Sequence, residues 1–248
     1  YGSEFLDHSS NANYGNQSVY LEAALSYNQT FNNRHMVDAL LLYNQRSYDW
    51  GDIQPNRTQG IAGRFSYTFD RRYISEFNFG YNGSEKRFGF FPSIALGWLV
   101  SEEQFMEPIR NVISKLKLRA SVGTVGNDNI GGRRFAYITT INSKANGYNW
   151  GYTGDTYRDG VQEGEVGVGN LTWEKALKTN IGIEIGLWNE LDFQLDLFKE
   201  RRTSIFMQRA TIPSQTGFIN NPYANYGKVD NKGLDLSLNY NKRINKDW

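Results

Sequence analysis

The stretch Leu177-Lys178-Thr179-Asn180-Ile181-Gly182-Ile183-Glu184-Ile185-Gly186-Leu187 puts Leu177, Ile181, Ile183, Ile185 and Leu187 at alternate positions, with Lys178, Asn180, Gly182, Glu184 and Gly186 between them. A repeat of two is that of a β-strand, whose successive side chains point to opposite faces. One face must therefore meet an apolar medium and the other a polar one. Leu191–Leu197 follows suit, with Leu191, Phe193, Leu195 and Leu197 alternating with Asp192, Gln194 and Asp196, and so does Leu234–Tyr240. Upstream, Val19–Gln29 and Tyr73–Asn82 repeat the pattern. With Met36–Tyr48, Gln59–Phe69, Phe91–Leu99 and Lys115–Gly123, the count reaches about nine strands. Each is about ten residues long, enough for a tilted strand to cross a bilayer.

The connections predict which medium the apolar face meets. Thr30–Arg34, Asp70–Arg71, Trp188–Glu190 and Arg243–Lys246 read as short turns. Interleaved with them, Asp49–Asn56, Gly83–Phe90, Thr124–Leu171 and Arg201–Asn231 read as long polar loops. Short turns at one end and long loops at the other are the pattern of an outer-membrane β-barrel, turns in the periplasm and loops outside. Aromatic residues cluster near strand ends, among them Tyr27, Phe31, Phe69, Tyr73, Tyr81, Phe90, Trp98, Trp173 and Trp188, where interfacial girdles sit. Val100–Ser114 breaks the series and reads as a brief rim helix. Ser101-Glu102-Glu103-Gln104 has the spacing of a capping box, Phe105, Ile109 and Ile113 share one helical face, and Pro108 interrupts it.

Composition agrees. The 248 residues are 15% aromatic with 25 Gly, only 5 Pro and a mean hydropathy of −0.60. Charge is balanced at +1, so no nucleic-acid partner is expected. Zero cysteines and two histidines, His8 and His35, exclude disulfides, thiolate metal sites and a histidine-built metal centre. No Ser-His-Asp set can be assembled, and Gly167-Val168-Gly169 lacks the third glycine of a dinucleotide fingerprint. Asn127-Asp128-Asn129 resembles part of a calcium loop but lacks the remaining ligands. Hence no catalytic residue, no metal and no cofactor is expected, and the chain is not read as an enzyme. An open edge in lipid leaves backbone groups unpaired, so about nine strands are expected to be part of a larger barrel.

Four stretches in order resemble one family, the SusC/RagA-type TonB-dependent outer-membrane transporters of Bacteroidetes. They are Phe90-Phe91-Pro92-Ser93-Ile94-Ala95-Leu96-Gly97-Trp98; Leu116–Gly123 with Gly126-Asn127; Leu171-Thr172-Trp173-Glu174-Lys175 leading into Thr179-Asn180-Ile181-Gly182; and Asn225–Gly233. The resemblance covers about two-thirds of the chain and matches the second half of the family's barrel. Val122 and Phe198 stand where the family more often has Tyr. It implies an all-β, antiparallel transmembrane barrel of about 22 strands, of which residues 1–248 are an incomplete part without the plug domain. It further implies TonB-dependent import of oligosaccharides or peptides through the outer membrane of a Gram-negative, Bacteroidetes-like bacterium. The implied partners are a SusD-like surface lipoprotein as lid, TonB through an N-terminal region, and the surrounding outer-membrane lipid.

On this reading Glu22, Glu76, Asn78, Lys178, Asn180, Glu184, Asp192 and Asp235 line the lumen. Substrate-binding candidates lie on the loops: Tyr48, Asp49, Trp50 and Asp52 on one, Tyr148, Trp150, Tyr152, Asp155, Tyr157 and Asp159 on another. Flat aromatic rings cover the apolar C–H faces of a sugar while carboxylates and amides take its hydroxyls. Two rivals share parts of the pattern: a soluble β-rich carbohydrate-binding or adhesin module, and a siderophore-type receptor barrel.

Overall fold

Alternating aliphatic and polar residues, rich in aromatics and poor in proline, fold into long antiparallel strands. The computed structural model describes residues 15–49, 55–84, 87–133 and 135–241. Eleven strands form among them: β1 Gln17–Phe31, β2 His35–Asp49, β3 Asn56–Phe69, β4 Tyr73–Ser84, β5 Arg87–Leu99, β6 Ile113–Asn127, β7 Ile141–Trp150, β8 Thr156–Glu163, β9 Glu174–Leu187, β10 Leu191–Gln208 and β11 Tyr223–Tyr240. Nine make one antiparallel sheet in the order β1-β2-β3-β4-β5-β6-β9-β10-β11, and β7 and β8 form a separate hairpin inserted between β6 and β9.

Three tight turns share one geometry. Phe31, Phe69 and Leu187 each accept a hydrogen bond from the N–H three residues on, at 3.1, 3.0 and 3.0 Å. The first two residues of each turn are left-handed: Asn32 and Asn33, Asp70 and Arg71, Trp188 and Asn189. Asn and Asp enter that region readily, whereas Arg71 and Trp188 are held there by the closing strands. The expected turn at Arg243–Lys246 lies outside the described residues.

The register also shows tilt. Tyr73 lies opposite Trp98, Trp98 opposite Leu118 and Leu118 opposite Ile183, which is four residues short of the turn that follows Leu187. A hydrogen-bonded row thus climbs relative to the turns, as strands inclined to a barrel axis require.

No core lies beneath this sheet. Among the described residues the buried hydrophobics are only Val100, Met106, Ile130, Ala145, Val168 and Ala176, and no large side chain is fully buried. Leu25 is 71% exposed and Ile181 57%. The chain exposes 18855 Å², against about 11,000 Å² for a globular monomer of its mass. Aliphatic side chains in such numbers find their solvent in hydrocarbon.

Aromatic rows bound the apolar face. At the turn end the Phe69, Tyr73 and Trp98 rings succeed one another at 6.3 Å intervals, and His35 Nδ1 lies 2.7 Å from the Tyr67 hydroxyl. At the other end Tyr81 stacks on Phe88 at 5.3 Å. Tyr73 to Tyr81 spans about 27 Å of strand at about 3.4 Å per residue. At a tilt of about 40° this is about 20 Å of height, close to the apolar band of about 25 Å in outer-membrane barrels.

Four expectations are corrected. Gly83–Phe90 is not a long loop, because β4 and β5 pair up to Ser84 and Arg87. Its glycines serve packing: a Cβ on Gly83 would meet the Phe88 ring at 2.3 Å, and one on Gly89 the Phe91 ring at 2.2 Å. Most of Arg201–Asn231 is strand as well, leaving residues 209–222 as the connection. Register shifts between Arg202 and Phe206, with Ser204 at φ 58°, break the period of two and hide the strand in the sequence. The segment Thr124–Leu171 contains the β7–β8 hairpin, whose own register shifts blur it in the same way.

The rim helix, finally, is two 3-10 turns, Val100–Glu102 and Gln104–Ile109, and its capping box is not formed. Ser101 is buried inside the first turn, and Glu103 caps the second without a side-chain hydrogen bond to the backbone. Phe105 and Ile109 are exposed, and Met106 takes the buried position. Glu103 turns instead to the strands: Tyr73 Oη donates to its carboxylate at 2.7 Å, and Trp98 Nε1 and Arg72 Nη1 do so at 3.1 Å each.

The Tyr73 hydroxyl above all, then the Trp98 indole and Arg72, hold the Glu103 carboxyl below the usual range. A depressed folded-state pKa contributes stability that is present above the unfolded value of about 4.3 and lost as pH falls through the folded value. Amide exchange in residues 99–106, corrected for intrinsic rates, is therefore expected to accelerate below about pH 4. Glu103→Gln should abolish that pH dependence; its survival in the variant would assign the effect to another group.

Candidate functional site

Directly paired residues of an antiparallel sheet share a face, so the register tests the expected lumen lining. Following the pairs from Asn82 through Gly89 to β6, β9, β10 and β11 places Glu22, Glu76, Asn78, Lys178, Asn180, Glu184, Asp192 and Asp235 all on one side. Leu25, Phe77, Ile183, Leu195 and Leu236 fall on the other.

The densest chemistry on the polar face spans β6, β9 and β10. Lys115, Lys117 and Arg119 alternate along β6 and meet Glu184 at 2.7, 3.8 and 3.4 Å. Arg119 Nη2 also donates to Asp196, which accepts from Gln194 Nε2 at 2.8 Å. Gly182 makes the Arg119–Asp196 contact sterically available: a Cβ there would lie 2.4 Å from Arg119 Nε and 2.5 Å from Asp196 Oδ1. Both of those atoms are buried without a partner. Arg119 and Asp196 were not singled out from sequence. The triplet of cations at alternate positions was visible, but its partners were not, because β6 pairs with β9 across the inserted hairpin.

Towards the loop end, the Phe91 ring lies over the space left by Gly89 and Gly126 and meets Trp173 at 5.3 Å. Arg202 bridges Glu174 at 3.3 Å and also binds Glu200. The segment carrying the hairpin is tied to the sheet by Arg133, which stands 4.0 Å over the Tyr223 ring, donates to its hydroxyl at 2.8 Å and pairs with Glu165 at 3.1 Å.

The hairpin gathers most of the candidate binding residues. Tyr148 and Trp150, two apart on β7, make an edge-on pair at 6.1 Å. Both are more than 60% exposed, and Tyr152 is fully exposed in the turn. Tyr157 accepts from the Gly147 N–H at 2.8 Å, which fixes its hydroxyl against β7. Asp155 accepts from the Thr156 hydroxyl at 3.3 Å. Hydrogen bonding from Thr153 in particular holds its carboxyl below the usual range, so it is a charged acceptor at neutral pH. Asp159 lies exposed on β8. Tyr48 and Asp49 end β2, on a different connection, with Arg46 5.6 Å from the Tyr48 ring. Trp50 and Asp52 lie outside the described residues. The ten candidates are thus not one cluster.

The calcium-like triplet has another use. Asn127 Oδ1 accepts from the Asn129 N–H at 3.1 Å, and Asn129 Oδ1 from the Gly131 N–H at 2.9 Å. These side chains build successive turns where β6 ends. Among the described residues no three acidic or histidine groups converge as a metal site would require.

The chain matches the family described as TonB dependent receptor-like, beta-barrel, over residues 1–248. It is 34% identical over 201 residues to the TonB-dependent receptor SusC of Bacteroides thetaiotaomicron, covering 78% of this chain and 19% of that protein. It is 29% identical over 253 residues to the TonB-dependent receptor P39 of Formosa agariphila, covering 88% and 23%. The chain therefore spans about a fifth of the length of these curated relatives. Its fold is similar to a solved structure of the RagAB peptide transporter, with a TM-score of 0.74 and 22% identity over 94% of this chain and 28% of that one. It is also similar to the siderophore receptor PirA of Pseudomonas aeruginosa, with a TM-score of 0.59 and 13% identity over 89% and 39%. Exposed apolar strands, a charged opposite face and the match over the whole chain lead to one conclusion: the chain belongs to the TonB-dependent receptor β-barrel family, outer-membrane receptors and transporters that are not enzymes.

Proposed function

We propose that this chain forms part of the barrel wall of an importer that takes up oligosaccharides, with its β7–β8 hairpin contributing to capture at the cell surface. The observation that carries the reading is the hairpin itself: Tyr148, Trp150 and Tyr152 exposed beside the ionised Asp155, outside the main sheet. Rings held this way match the apolar faces of sugars, and the carboxylate matches their hydroxyls. The likeness to SusC supports a SusD-like lipoprotein as lid and energy from TonB in a Bacteroidetes-like bacterium. Peptide is the competing cargo, prompted by the fold shared with the RagAB peptide transporter.

The test is calorimetric titration of the full-length transporter, purified with whatever lipoprotein accompanies it, against oligosaccharide and peptide libraries. Tyr148→Ala and Trp150→Ala are each expected to weaken oligosaccharide binding by about tenfold, the usual cost of removing a central aromatic contact. Unchanged oligosaccharide affinity in both variants, or binding of peptides alone, would overturn the reading.

A further inference from the structure

The turns give a common height scale. Counting eight residues up from each turn on the apolar face, β3 presents Ile61, β4 Tyr81 and β5 Phe90. The same count from the β9–β10 turn brings β9 to Thr179 and β10 to Lys199, whose direct partner on β11 is Lys232. On β3, β4 and β5 the apolar band therefore ends in hydrophobic and aromatic residues, whereas on β10 and β11 it ends in a pair of lysines. Eight residues are about 27 Å of strand, or about 20 Å of height at barrel tilt, the outer headgroup boundary.

Lys199 and Lys232 are direct cross-strand partners, so their Cβ atoms are about 5 Å apart. Two like charges so placed repel, and an opposing sheet cannot neutralise them because this face meets lipid. The next pair outward, Arg201 and Asp230, is joined at 2.8 Å, and Asp230 also attracts Lys199, so one carboxylate stands among three cations and a surplus of positive charge remains. Among the described residues no carboxylate lies within 4.0 Å of either lysine ammonium. Immediately below stands an unbroken aliphatic row, Ile181 opposite Leu197 opposite Leu234.

We infer that Lys199 and Lys232 hold the phosphate of an anionic outer-leaflet lipid, whose acyl chains lie along Ile181, Leu197 and Leu234. Charge complementarity and continuity with the lipid-facing surface specify this occupant: a phosphate shared between two ammonium groups relieves their repulsion, and only a lipid places its phosphate directly above hydrocarbon. The inference rests on membership of the barrel family and is independent of what is imported.

The experiment uses the full-length transporter in detergent, titrated with bisphosphorylated lipid A and followed by native mass spectrometry. Lys199→Gln/Lys232→Gln should reduce lipid A binding by about 30-fold, two surface cations' worth of attraction. Lys199→Arg/Lys232→Arg should restore it, and dephosphorylated lipid A should bind the wild type as weakly as the Gln variant binds the intact lipid. A heat-induced mobility shift of the Gln variant like that of the wild type would show that it remains folded. Equal lipid A binding by wild type and Gln variant, no preference for the phosphorylated lipid, or displacement of the lipid by equimolar inorganic phosphate would overturn the assignment.

Discussion

Ile183→Arg should leave most of the full-length protein unfolded or absent from the outer membrane, while Ser237→Arg should assemble normally. Ile183 lies on the apolar face, four residues above the β9–β10 turn and therefore near mid-membrane on the scale set by the aromatic rows. An arginine on the lipid face at that depth costs about 2–4 kcal/mol, a large fraction of the total stability of a protein. Ser237 faces the other way, opposite Gln194 and two residues from Asp235, where a cation meets acidic neighbours and water. The heat-induced mobility shift of outer-membrane fractions reads both variants at once. Equal loss in the two would contradict the assignment of faces. Gly182 would be a misleading control, since any side chain there collides with Arg119 and Asp196 whichever solvent it faces.

Arg119→Ala should destabilise the barrel by more than Asp196→Ala, by about 2–3 kcal/mol against about 1–2. Arg119 alone joins Glu184 and Asp196, whose side chains are only 15% and 10% exposed. Removing the guanidinium leaves Asp196 without a cation among the described residues, though Glu184 keeps Lys115 at 2.7 Å. Removing Asp196 leaves Arg119 still paired with Glu184 at 3.4 Å. The double variant should cost less than the sum of the singles, because the contact is lost only once. Urea unfolding of the reconstituted full-length protein measures all three. Strict additivity, or the reverse order of the single variants, would show that the network does not couple β6, β9 and β10.

The faces of the sheet were legible because they depend only on parity. Leu177–Leu187, Leu191–Leu197 and Leu234–Tyr240 alternate without interruption, and the pairing keeps every expected lumenal residue on one side. Parity also explains the failures. Where β10 shifts register around Ser204, and where β7 and β8 do so around Ala145, the alternation slips and strand reads as loop. The stretch Gly83–Phe90 read as a loop for another reason: its glycines are room for rings, Gly83 for Phe88 on the paired strand and Gly89 for Phe91 two residues along its own. In the rim segment the spacing of Ser101 and Gln104 suggested a cap, but burial of Ser101 removed its side chain from that role.

The candidate binding residues divided along the same line. Composition was enough to find the aromatic and acidic residues of the hairpin, because exposed Tyr and Trp beside Asp need no partner to be recognised. That Tyr148 and Trp150 stand together while Tyr48 and Asp49 sit on another connection depends on where the strands end. The sequence by itself determined the strand class and the polarity of each face, since these follow from local alternation between chemically different side chains, while the unequal connections pointed to lipid as the medium of the apolar face. Only the tertiary structure decided that Arg119 bridges Glu184 and Asp196, that Gly182 makes the space for it and that Lys199 faces Lys232, because cross-strand register is set by hydrogen bonding between segments remote in the chain, which no local pattern encodes.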